Sequence, residues 1–172
     1  LDTLAREFEP ALAGRYSGVT LRHFATMTSG YDSAGGSYEF DAQGRGDSWN
    51  PGPPAPPIFP PGSKFRYWDD AMMQFGNVLT KAAGQPLDQM FKTRIAGPIG
   101  MSRWRWTEND TPTGRVLSWT GGIHMSAREL ARFGHLFLNR GNWKGRQLVS
   151  TSWVDQATSV QVPASVPNDD LP

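Results

Sequence analysis

A chain of 172 residues with 17 Lys and Arg against 16 Asp and Glu has a net charge of +1, which gives no field strong enough to gather nucleic acid or an acidic membrane surface. Its length suits one domain, and its lack of cysteine rules out disulfides, thiol nucleophiles and Cys-based metal sites while suiting an oxidising or a reducing compartment alike. No run nears the roughly 18 apolar residues of a membrane span, and the N-terminus has no basic-then-apolar export signal.

The first predicted element is a short helix in VTLRHFATMTSG (19 to 30), capped by Thr20, with Leu21, Phe24 and Met27 on one face and Gly30 as its stop. Residues 33–61 lack periodicity, are rich in Gly, and hold seven prolines between Pro51 and Pro61. That composition predicts a long ordered loop with polyproline character, either wrapped over the surface or serving as a PxxP ligand for a partner. A helix is expected from Asp70 to Ala83, with Met72, Phe75, Gly76, Leu79 and Ala82 along one side and Gly84 closing it. A second is expected from Pro86 to Ile95, proline being well tolerated in a first helical turn.

MSRWRW alternates Met101, Arg103 and Arg105 with Ser102, Trp104 and Trp106, which predicts a strand with both tryptophans on one face. GRVLSW and GGIHM are further strand candidates around the break at Thr120-Gly121-Gly122. SARELARFGHLFLNRG carries the clearest helix pattern: a capping box of Ser126 and Glu129, a stripe of Leu130, Phe133 and Phe137, and a stop at Gly141. A last helix is expected after Ser150 with Trp153, Val154 and Ala157 inward.

For chemistry, His23, His124 and His135 have no HExxH-like spacing, so no metal or other cofactor is expected. DAQGRGD (41 to 47) has acidic ends around glycines but lacks calcium-loop spacing. Neither a GxGxxG, a Walker loop nor a GxSxG elbow occurs.

Four patterns in succession carry a resemblance: VTLRHFATMTSGYD, PPGSKFRYWDD, AGPIGM and GGIHMSARELARFG. Together they are similar to the serine β-lactamase-like superfamily of class C β-lactamases, D-alanyl-D-alanine peptidases and related esterases. The likeness covers most of residues 1 to 31 and 59 to 157. It implies an α/β (α+β) fold, here mostly the helical region with part of an antiparallel sheet, as a partial domain over residues 1–172.

It also implies acyl transfer to a serine, on a small-molecule or peptide acyl substrate. A serine hydroxyl is a weak nucleophile until a base takes its proton, and a phenol of reference pKa about 10 does so only where cations stabilise its anion. Tyr67-Trp68-Asp69 falls on the family's Tyr-x-Asn motif, which makes Tyr67 the proton carrier and Asp69 its neighbour in the catalytic site. Asp69 departs from the family's Asn: an ionised Asp only accepts, and beside a catalytic lysine it would hold that lysine charged, which disfavours β-lactam hydrolysis more than ester hydrolysis. Asp69 or Asp70 acting only as a helix cap is the alternative. Gly121, Gly122 and Ser126 fall on a segment that runs near the site floor in the family, although a tight turn and a cap already account for them.

No serine has a lysine three residues on, and a closing Lys- or His-Thr-Gly strand is missing. The Ser-x-x-Lys motif is expected before Leu1 and the closing strand after Pro172. The isolated chain is therefore expected to be inactive and to self-associate through uncovered sheet edges. The other function open to the sequence is a non-catalytic binding module that keeps the fold.

Overall fold

The computed structural model describes residues 1–32, 54–111, 114–117 and 122–168. Most of the loop expected at 33–61, including the DAQGRGD segment, lies outside the described residues, as does Gly121. The fold mixes helices with small antiparallel strand pairs, as an α/β chain should. It divides into two compact units, the first drawing its described residues from within Leu1–Gly84 and Val162–Pro172, the second from within Gln85–Leu117 and Gly121–Gln161.

The first unit begins with 3-10 turns at Ala5–Glu7 and Pro10–Leu12, followed by helix α1 (Leu21–Ala25) and helix α2 (Asp69–Ala83). Thr20 caps α1 reciprocally: its side chain accepts from the His23 amide at 3.2 Å, and His23 Nδ1 accepts from the Thr20 amide at 3.2 Å. Histidine here fills the place of the usual Glu or Gln. The helix stops at Ala25 instead of Gly30, because Met27 takes a left-handed conformation with φ 55° and opens a tight turn. Gly30 follows at φ 68°, and a Cβ there would lie 2.1 Å from the Phe59 carbonyl oxygen, so only glycine fits.

The core of this unit is aromatic. Tyr16 and Tyr31 lie 5.0 Å apart, Phe24 is 5.9 Å from Tyr31 and stacks at 5.8 Å on Phe75, and Leu12, Val19, Ala71 and Val78 fill the space around them. The Tyr16 hydroxyl is satisfied by donating to the Ala55 carbonyl at 2.9 Å and accepting from the Asp32 amide at 3.0 Å. Helix α2 differs from the single apolar stripe expected of it: Asp70, Ala71, Met73, Gln74, Gly76 and Val78 are buried and Ala82 is exposed. Its first two turns are enclosed on nearly every side, so periodicity could not mark one inward face.

In the second unit, helix α3 (Leu87–Phe91), with Pro86 as its N-cap, runs on into a π turn at Lys92–Ala96. Strands β1 (Trp104–Trp106), β2 (Glu108–Thr111), β3 (Gly114–Leu117) and β4 (Ile123–Met125) follow, then helix α4 (Ala127–Leu138), the short strands β5 (Asn142–Trp143) and β6 (Arg146–Gln147), and helix α5 (Thr151–Ala157). The pairings are β1 with β4, β2 with β3 and β5 with β6, all antiparallel. Ala96, Ile99, Met101 and Leu136 form the buried centre, flanked by Phe91, Trp104, Met125, Phe133 and Trp143. Trp104 and Trp106 sit half-buried on one side of β1 and Arg105 is exposed on the other, as the alternation predicts.

Two expectations for α4 and α5 are corrected. Ser126 Oγ accepts from the Glu129 amide at 3.3 Å, but the Glu129 carboxylate does not return to complete the box. Glu129 is only 2 % exposed; it accepts from the Ser102 amide at 3.3 Å, the Arg103 amide at 3.4 Å and Arg132 Nη1 at 3.0 Å. This inward turn rotates α4 so that Leu130, expected in the stripe, is 58 % exposed. In α5 Val154 is buried, whereas Trp153 and Ala157 face solvent.

Candidate active site

Tyr67 lies where two constraints meet. Before it, the Arg66 amide donates to the Met27 carbonyl at 3.0 Å and the Phe65 amide to the Pro167 carbonyl at 2.9 Å, pinning the approach. After it, Trp68 is extended (φ −151°) as the N-cap and α2 begins. The Arg66 guanidinium lies 4.0 Å over the Trp68 ring, within cation–π range. Tyr67 is thus held where an extended segment meets the start of α2, and it is 48 % exposed.

Asp69 and Asp70 fall in the first turn of α2, and the N-cap position itself is taken by Trp68. The two carboxylates face different surroundings: Asp70 is fully buried, while Asp69 is half-buried and takes a hydrogen bond from Tyr67. Burial pushes the Asp69 carboxyl above its ordinary value, and the Tyr67 hydroxyl draws it only part of the way back. Asp69 Oδ1 is buried and makes no hydrogen bond among the described residues. A buried acceptor of this kind costs free energy unless something supplies a donor.

The result is a half-exposed phenol whose proton points to a carboxylate that retains an unused acceptor, at a positive helix end that favours negative charge. Such a pair can orient a proton and pass it on. Tyr16 and Tyr31, by contrast, are buried, which pushes their phenols up and keeps them neutral. Of the three histidines, His23 serves the cap of α1, His135 meets Trp143 edge-on at 5.5 Å, and His124 is exposed on β4. Gly122 is left-handed at φ 76° just before β4, and Ser126 is the cap of α4. Among the described residues no group of three His, Cys, Asp or Glu is placed to hold a metal, and no helix is long and apolar enough to cross a membrane.

Two features had no local signal in the sequence. Glu129 reaches amides 26 and 27 positions away in the chain. Arg105 stands directly opposite His124 across the β1–β4 pair, a register no spacing could announce.

The sequence profile of the Beta-lactamase family matches residues 1–170. No curated protein matches the chain. Among solved structures, a provisionally assigned β-lactamase from Bacteroides dorei DSM 17855 superposes with a TM-score of 0.75 at 22 % identity, over 99 % of this chain and 52 % of that one. A provisionally assigned 6-aminohexanoate-dimer hydrolase from Bacillus anthracis gives 0.73 at 21 % identity, over 94 % and 47 %. An octameric penicillin-binding protein homologue from Pyrococcus abyssi gives 0.64 at 18 % identity, over 96 % and 44 %. The chain spans about half the length of the structures it matches.

Proposed function

Because the chain belongs to the Beta-lactamase family, we propose that it forms part of a serine acyl hydrolase in which Tyr67 carries the proton. The observation that supports this is the half-exposed Tyr67 hydroxyl bonded to Asp69, at the position of the family's Tyr-x-Asn motif. In the proposed cycle a serine Oγ attacks the acyl carbon as its proton passes to the Tyr67 oxygen, which hands its own hydroxyl proton to the Asp69 carboxylate and takes it back when the leaving group departs. The carbon–leaving-group bond then breaks, and the same proton goes to the departing alkoxide or amine. Water repeats the sequence on the acyl-serine and restores the enzyme. Asp69 holds the phenol in line and, as a carboxylate, keeps a neighbouring lysine charged, which suits an ester with its good leaving group better than a β-lactam.

The test uses the full reading frame and the 172-residue chain side by side, with a p-nitrophenyl ester and a chromogenic cephalosporin as substrates. The full protein should turn over the ester faster, and the isolated chain neither. Tyr67→Phe in the full protein should lower kcat by about 10²- to 10³-fold with its melting temperature unchanged, the range expected for loss of a proton carrier. Ester turnover unaffected by that substitution overturns the assignment. A full protein that turns over neither substrate and takes no serine-directed label would be a binding module that keeps the fold. Self-association is part of the same reading: each described pairing joins only two strands, and light scattering of the chain should report more than a monomer.

A further inference from the structure

The imidazole of His23 is wedged between backbone on two sides. Its Nδ1 accepts from the Thr20 amide at 3.2 Å, and a Cβ added to Gly62 would lie 3.4 Å from Nε2 and 3.8 Å from Cδ2. Gly62 is left-handed at φ 79°, and its amide donates to the Thr28 carbonyl at 2.8 Å. Thr28 is in turn tied to His23, whose carbonyl accepts from the Thr28 amide at 2.8 Å. A second clasp, from the Arg66 amide to the Met27 carbonyl, lies directly before Tyr67. The ring thus closes a circuit through Thr28 and Gly62 that fastens the approach to Tyr67 onto the end of α1.

An imidazole nitrogen accepts only when it carries no proton, so this geometry fixes the ring as neutral with its proton on Nε2. A second proton would go to Nδ1 and point at the Thr20 N–H. Two donors cannot bond, and the ring cannot swing aside without displacing Gly62. Helix α1 is only five residues long, so the reciprocal cap is a large part of what holds it. Burial opposes the second proton most, Arg22 on α1 opposes it as well, and Asp2 on the N-terminal segment, bridged to Arg22 at 2.7 Å, favours it. The segment of Gly62 also carries Lys64 and Arg66, and the Arg66 guanidinium lies over the Trp68 ring.

We infer that His23 is a positioning residue for Tyr67: its neutral ring keeps residues 62–66 clasped to α1, and its protonation in mildly acidic solution releases them and switches the site off. The effect on turnover rests on the proposed role of Tyr67, whereas the release of the segment does not. Because the folded protein resists the second proton, the clasp is complete above the ordinary histidine value of 6.5 and opens as pH falls through the lower value of the folded state.

The experiment follows the isotope-labelled 172-residue chain by NMR from about pH 8 to about pH 5, reading the His23 ring nitrogens and the hydrogen exchange of the Gly62 and Arg66 amides, corrected for intrinsic rate. At the upper end Nδ1 should give the signal of a bare acceptor nitrogen. On acidification the protection of both amides should fall about fivefold, the worth of one hydrogen bond, with the midpoint of His23. His23→Gln is the deciding variant, since a glutamine at this place in a capping box still accepts from the N-cap amide but does not titrate. It should keep both amides protected throughout. In the full reading frame, kcat for the p-nitrophenyl ester should fall with the His23 midpoint in the wild type and lose that acid limb in His23→Gln. Protection unchanged through the His23 midpoint, or an equal loss in His23→Gln, overturns the inference, and so does a level kcat in a protein whose Tyr67→Phe variant is impaired. Turnover indifferent to Tyr67→Phe overturns the proton-carrier assignment instead, and amide protection then still decides the clasp.

Discussion

The first turns of α2 and α4 each contain a carboxylate drawn away from water, and they treat it in opposite ways. Glu129 at the start of α4 is surrounded by donors: two backbone amides and a guanidinium. Burial alone would push its pKa up, but the amides of Ser102 and Arg103 and the charge of Arg132 together carry it below its ordinary value. Among the described residues Asp69, at the start of α2, has the Tyr67 hydroxyl and a buried oxygen without a partner, and its pKa stays raised. A carboxylate supplied with donors welds two segments together, whereas one left short of them is held at a free-energy cost that fold stability alone does not explain.

The widest gap between these sites should appear on truncation. Glu129→Ala leaves the part-buried amide bonds of Ser102 and Arg103 without their acceptor and removes the ion pair to Arg132, and should lower the melting temperature by about 5–10 °C, given about 2–4 °C per kcal/mol for a chain of this size. Glu129→Gln should recover part of that loss, since an amide oxygen still accepts; equal losses for both variants would show that the carboxylate's acceptors are not what holds β1. Next in size, Ser126→Ala removes the side-chain cap of α4 and should cost about 1 kcal/mol by urea titration. Asp69→Asn should act the other way, raising the melting temperature at pH 7 by about 1–2 °C, because the buried charge disappears while a donor is gained. A fall instead would mean that Asp69 is satisfied in the folded protein.

Acid sharpens the same contrast. The folded pKa of Glu129 lies below its ordinary value of 4.5, so its stabilising effect is complete above that pH and is lost as pH falls through the folded pKa. The folded pKa of Asp69 lies above 3.8, so its penalty is present above the folded pKa and fades as pH falls toward 3.8. Melting curves across that range should therefore show the deficit of Glu129→Gln against wild type shrinking on acidification, and the advantage of Asp69→Asn shrinking as well. Parallel curves for all three proteins would remove the electrostatic distinction.

The legible parts of the chain were those where local chemistry decides. Thr20, Ser126 and Ser150 accept from the amides of the helices they precede, and Gly84 closes α2 in a left-handed conformation. The alternation in RWRW placed both tryptophans on one face. What failed was every inference that needed a partner distant in sequence. Leu130 fits a helical stripe by spacing, but the rotation of α4 is set by amides at 102 and 103, so Leu130 faces water. The stripe proposed for α2 missed Asp70 because a carboxylate is not expected inside, and Met27 took a left-handed turn that no residue type there announces. Of the candidate site, Tyr67 and Asp69 were legible only through the family motif; their hydrogen bond and the stranded Oδ1 required coordinates.

The bond from the Arg66 amide to the Met27 carbonyl makes the aim of Tyr67 depend on a bend some forty positions earlier. Replacing Met27 with glycine, which relaxes that bend at little steric expense, is thus a route to re-aiming the Tyr67 phenol from a distance, and laboratory evolution of the proposed activity has a reason to sample residues 26–29 as well as Tyr67 and Asp69.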